Sequence, residues 1–179
     1  MYNQLTLTQL KKQLESEDSN DRVEAAGHLM SLVNIIDIFP VNLVRDAIRD
    51  RDDDVKIQII EILSQRAELL KEEDISLIVA LLKSNNERVR QAVLDAIPLL
   101  HLQIKESHIN EIARMLCHCN EDIRFFAAEA LIALNHLLNP RIIQEISQLL
   151  FHGDKNVCMN TADFLLQIGQ EEILFKNCY

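Results

Sequence analysis

The sequence predicts an all-α protein, a right-handed α-solenoid of about five stacked antiparallel helix pairs filling a single domain over residues 1–179. Three observations lead there. The chain has only three Gly, three Pro and no Trp, so its long runs go unpunctuated, whereas a sheet protein needs turn residues every few positions. The phrases "NNERVRQAVLDAI" and "CNEDIRFFAAEAL" follow one pattern, and Val55, Val89, Ile123 and Val157 anchor such phrases at a constant step of 34. That step is the mark of a repeat array. Hydrophobic residues make up 48% of the chain, too many for a disordered one.

Taken in order, the first unit covers about 4–34 and is anchored on Val23, 32 residues before Val55. Its Leu10 and Leu14 sit two positions further back than their counterparts, so "ESEDSN" reads as a lengthened turn. The remaining units cover about 40–67, 74–100, 107–136 and 140–169, with a closing segment over 170–179. Each begins with an amphipathic helix whose apolar columns include Val44 and Ile48, Ile78 and Leu82, Ile112 and Leu116, then Ile146 and Leu150. Pro40 and Pro140 stand near two of these helix starts, where a missing N–H costs little.

Each second helix opens on a residue suited to capping: Asn20, Asp52, Asn86, Asn120 and Asp154. Acids follow at Asp21, Asp53, Glu87 and Glu121, which suits a helix N-terminus. Lys56, Arg90 and Arg124 lie within i,i+3 reach of Asp53, Glu87 and Glu121. Apolar or small residues then recur on one face, such as Val89, Val93, Ala96 and Ile97. One helix pair cannot cover its own apolar faces, but five stacked pairs share a core.

With these columns in place, the chain resembles a HEAT or armadillo-type helical repeat protein over about residues 5–169, HEAT being the nearer pattern. "RDDDVKIQIIEIL" carries the likeness too, "SNDRVEAAGHLM" and "GDKNVCMNTADFL" more loosely. The resemblance implies that the second helices line a concave face. Positions two, five, six and nine after each anchor would point into it: Ile57, Ile60 and Glu61, then Gln91, Leu94 and Asp95, then Phe125, Glu129 and Ile132, and finally Met159, Asp163 and Leu166. This reads as an apolar groove beside an acidic stripe, suited to an amphipathic helix or extended segment with basic residues. Inter-repeat packing is the competing account of the apolar columns.

The expected role is therefore a non-catalytic protein-interaction module, an adaptor or scaffold, with no cofactor, metal or catalytic residue. A net charge of -10 disfavours nucleic acid and anionic membranes as partners. "MYNQLTLTQLKKQLESEDSN" has no signal-peptide pattern, and four Cys without a disulfide framework suit a reducing, cytoplasmic setting. Cys117, His118 and Cys119, with His152 and Cys158, lack the paired spacing of a zinc site. The alternative is an enzyme-associated HEAT protein of the bilin lyase type.

Overall fold

The structure, a computed structural model, describes residues 7–33 and 41–176. Pro40 as a helix start lies outside the described residues, as do the first positions of the first unit and the tail from residue 177. The described chain forms α1 (Leu7–Leu14), α2 (Ser19–Leu32), α3 (Val41–Ala47), α4 (Asp53–Gln65), α5 (Glu72–Ala80), α6 (Glu87–Leu100), α7 (Glu106–Met115), α8 (Glu121–Ala133), α9 (Pro140–Ser147), α10 (Lys155–Gln167) and α11 (Glu171–Lys176). No strand occurs among the described residues, and no helix there is long and apolar enough to cross a membrane.

Each odd-numbered helix up to α9 packs on the even one after it. The even helices α2, α4, α6, α8 and α10 then stack successively in one layer, and α5 meets α7 in the other. Val55, Val89, Ile123 and Val157 are buried, as are the residues four and eight positions later. Burying each Ile, Val or Leu of this kind contributes about 1.5–3 kcal/mol. Pro140 occupies the first turn of α9, behind its cap Asn139.

The turn within each pair is built the same way five times. Asp18, Asp52, Asn86, Asn120 and Asp154 cap the even helices, each accepting the N–H two residues on at 2.8–2.9 Å. Two residues upstream, Ser16, Asp50, Ser84, His118 and His152 accept the N–H of the cap residue itself at 2.8–3.2 Å. Four residues beyond the cap, Arg22, Arg90 and Arg124 reach back to the carbonyls of Ser16, Ser84 and His118 at 2.8–2.9 Å. Cys158 fills that place in the last unit, its Sγ 3.0 Å from the His152 carbonyl. This staple gives otherwise orphaned turn carbonyls a donor.

These contacts correct the register of the first unit. Its cap is Asp18, not Asn20, and its staple is Arg22, with Glu24 exposed. Asp21, not Val23, is the counterpart of Val55, so the step is 34 throughout and "ESEDSN" is no longer than the other turns. Aligning on an apolar residue misplaces the unit, because Asp21 fills that column and only the hydrogen-bonding residues keep the register. The i,i+3 expectation also needs correcting. Lys56 does pair with Asp53 at 2.6 Å, but Arg90 and Arg124 turn to carbonyls instead. Both guanidiniums are buried, and a planar fork serves several fixed acceptors better than one flexible surface acid.

Neighbouring units are tied by polar links. Arg22 donates to both oxygens of Asp50 at 2.8 and 3.0 Å, which raises its pKa further. Arg45 grips both oxygens of the buried Asp74. Asn86 donates to Asp53 at 2.8 Å, Arg88 pairs with Asp54 at 2.8 Å, and Arg90 reaches Asp122 at 3.2 Å.

Candidate functional site: the outer face of the even helices

An α-helix turns about 100° per residue, so with positions zero, four and eight in the core, positions two and six face nearly away from it. The structure exposes that direction unevenly. Val23 and Ile57 are half-buried, Gln91 is exposed, and Phe125 and Met159 are 56% and 53% exposed. At position nine Pro98 and Leu166 are exposed and Ile132 is half-buried, while Ser64 is buried with its hydroxyl on the Glu61 carbonyl.

Ile60 does not belong to this face. It is fully buried, like Ala26 one unit earlier. Position five lies on the flank of the helix, where a branched side chain is swallowed by the seam with the next helix. The smaller Ala128 and Ala162 and the half-buried Leu94 sit at the same seam. Within the apolar columns Ile60 is thus buried, whereas Phe125, Met159 and Leu166 are exposed.

The acids at position six are Glu61, Asp95, Glu129 and Asp163, exposed except for the half-buried Glu129. They do not run beside the apolar residues but among them. Between α4 and α6 an open cleft of about 380 Å³ is lined by Ile57, Glu61, Ser64 and Gln65 on one side and Ala92, Asp95, Ala96 and Leu99 on the other. A largely apolar floor thus lies between two carboxylates. Leu99, 53% exposed, belongs to this face although the columns read from the sequence did not include it. Position ten is apolar in only two of the five units, Leu99 and Ala133, so no column pointed to it.

Phe125 is held in place from beneath. Its ring meets that of the buried Phe126 edge-on with centroids 5.6 Å apart, and the Arg90 guanidinium lies 5.0 Å from the Phe126 centroid. Such aromatic and cation–π contacts fix a ring without covering its outer face.

Charge on this face has one sign. Every Lys and Arg of the even helices sits in the first turn, at Arg22, Lys56, Arg88, Arg90, Arg124 and Lys155. Beyond that turn only acids follow. Among the described residues none of Glu61, Asp95, Glu129 and Asp163 pairs with a cation; Asp95 accepts only from Gln91, at 2.8 Å.

The sulfur and imidazole groups singled out in the sequence serve the turns. Nδ1 of His118 and of His152 accepts a cap N–H, and the Cys158 Sγ meets the His152 carbonyl. Burial pushes the Cys117 thiol above its ordinary pKa. No group of three or more His, Cys, Asp or Glu among the described residues could hold a metal ion.

No protein-family model and no curated protein matches the chain. Solved structures do. The MAST/Orbit N-terminal domain is 16% identical with a TM-score of 0.69, covering 92% of this chain and 83% of that one. A Crescerin structure, described as a TOG domain array that regulates microtubules in the primary cilium, is 16% identical with a TM-score of 0.68, covering 96% and 82%. A designed armadillo repeat protein in complex with the peptide (KR)4 is 17% identical with a TM-score of 0.54, covering 96% and 91%. The fold is that of a HEAT/armadillo-type α-solenoid.

Proposed function

We propose that the chain is a non-catalytic interaction module that binds a basic polypeptide segment on the outer face of α4, α6, α8 and α10, the concave side of the stack. One observation carries the reading: a row of four carboxylates, one on each of α4, α6, α8 and α10 and none paired with a cation among the described residues, interleaved with exposed Phe125, Met159, Leu166 and Leu99. Several acids elsewhere do find a cation of this chain, among them Asp50, Asp53, Asp54, Glu72, Asp74, Glu111 and Asp122. The neighbour solved with (KR)4 is a stack of related fold holding a cationic peptide, which supports the reading. Preformed helices would present the face with little ordering cost. Cys117, Cys119 and Cys158 are free thiols, in keeping with a cytoplasmic setting.

The test is a titration of the protein with a fluorescent oligolysine peptide beside an oligoglutamate of equal length. Oligolysine should bind with an affinity that falls as salt rises, and Glu129→Lys with Asp163→Lys should abolish binding while leaving the circular dichroism unchanged. Equal affinity for both peptides, or binding indifferent to the double variant, would remove the reading.

A further inference from the structure

The same face carries a rhythm that specifies its partner more closely, provided that the face does bind a basic segment. Glu61, Asp95, Glu129 and Asp163 stand at one position in successive stacked helices. Packed helix axes lie about 8–10 Å apart, so the carboxylates recur at about that distance across the stack. Between them lie apolar patches, as the α4/α6 cleft shows with Ile57, Ala92, Ala96 and Leu99. A matching ligand must present a cation about every 10 Å and an apolar group midway, about 5 Å on, all on one side.

A β-extended chain does not meet that demand, because successive side chains point to opposite faces and same-side residues recur at about 6.6 Å. A polyproline II chain repeats cations on one face at about 9.3 Å but leaves no side chain midway on that face. An α-helix does. One turn rises about 5.4 Å, so residues seven apart share a face at about 10.5 Å, with the third or fourth residue between them. The width fits as well. Phe125 and Ile132, seven residues apart along α8, bracket a strip about 10.5 Å wide, as do Met159 and Leu166 along α10, close to the diameter of a helix.

We infer that the occupant is a single amphipathic helix of about 22 residues lying across α4, α6, α8 and α10. It carries Lys or Arg at every seventh position and an aliphatic or aromatic residue three or four positions after each. The cations pair with Glu61, Asp95, Glu129 and Asp163, their stems lying along the apolar walls, while the intervening residues enter the clefts between helices.

Three synthetic peptides of equal charge separate the possibilities, read by fluorescence anisotropy and circular dichroism with the full chain. The first is an Ala-rich helix with four Lys seven apart and Leu midway. The second has the same composition with the Lys five apart, which winds them around the helix. The third is (Pro-Pro-Lys)4, which cannot be α-helical and adopts polyproline II. The first should bind about tenfold tighter than the second, as expected when two or three weak ion pairs lose alignment. It should also bind tighter than the third, which keeps its lysines on one face about every 9.3 Å but brings no apolar group between them. The first should gain helicity on binding. Asp95→Asn and Glu129→Gln should each weaken it, while Glu106→Gln on α7 should not. Equal binding of the first two peptides, or tighter binding of the proline-rich one, overturns the helical partner and leaves the wider reading standing. If none of the three binds, the basic-segment reading fails and the helix with it.

Discussion

Repeats one to four and the junction of repeats four and five are held by different chemistry. Every earlier junction has a polar tie: Arg22 to Asp50, Arg45 to Asp74, Arg88 to Asp54, and Arg90 to Asp122. Among the described residues no ion pair or side-chain hydrogen bond joins repeats four and five. Asn156 stands there where Asp122 serves Arg90. That junction is also where Phe125, Met159 and Leu166 are exposed. Polar ties thus concentrate in the first four repeats and large exposed apolar side chains in the last two, with Leu99 beside the tied α4/α6 cleft as the exception.

The largest effect should come from breaking the stapled half. Arg45→Ala leaves Asp74, 1% exposed, as an uncompensated buried carboxylate, and should cost about 3–5 kcal/mol, read as a lowered urea midpoint. Acid should act on the same half. Hydrogen bonds from Lys56 and then Asn86 hold the Asp53 carboxyl below its ordinary pKa. Its contribution is therefore present above the ordinary carboxylate range and is lost as pH falls through the lowered value. Stability measured from pH 6 downward should fall less steeply in Asp53→Asn than in the parent.

Smaller changes probe the other half. His118→Ala removes the acceptor for the Asn120 N–H and should cost about 1 kcal/mol, whereas His118→Ser, imitating Ser84, should restore most of it. Asn156→Asp offers Arg124 a carboxylate and should stabilise by roughly 0.5 kcal/mol; no gain would show that the missing acid does not explain the unstapled junction. Smallest of all, Phe125→Ser should change stability by no more than about 0.5 kcal/mol yet weaken peptide binding.

Much of the stack is legible in the sequence because capping chemistry recurs at a fixed step, and Asp52, Asn86, Asn120 and Asp154 cap the helices that the pattern assigns to them. The first unit escapes that pattern where an acid replaces the anchor, since periodicity of apolar residues is silent at Asp21. The site is legible in part. A wheel identifies the direction away from the core, which points to Phe125, Met159, Leu166 and the acids. It cannot show how close the next helix comes, and that distance decides that Ile60 is buried while Leu99 is not. The long-range partners of Arg22, Arg45 and Arg90 lie 28 to 32 residues away and leave no local pattern.

The central claim is that the outer face of the even helices is where a partner sits. Amide chemical-shift mapping of the labelled protein during titration with the seven-spaced lysine helix tests it residue by residue. Perturbations should centre on Glu61, Asp95, Phe125, Glu129, Met159 and Asp163, with the amides of α5, α7 and α9 unmoved. Shifts concentrated on the odd helices or on the turns around His118 and His152 would contradict it.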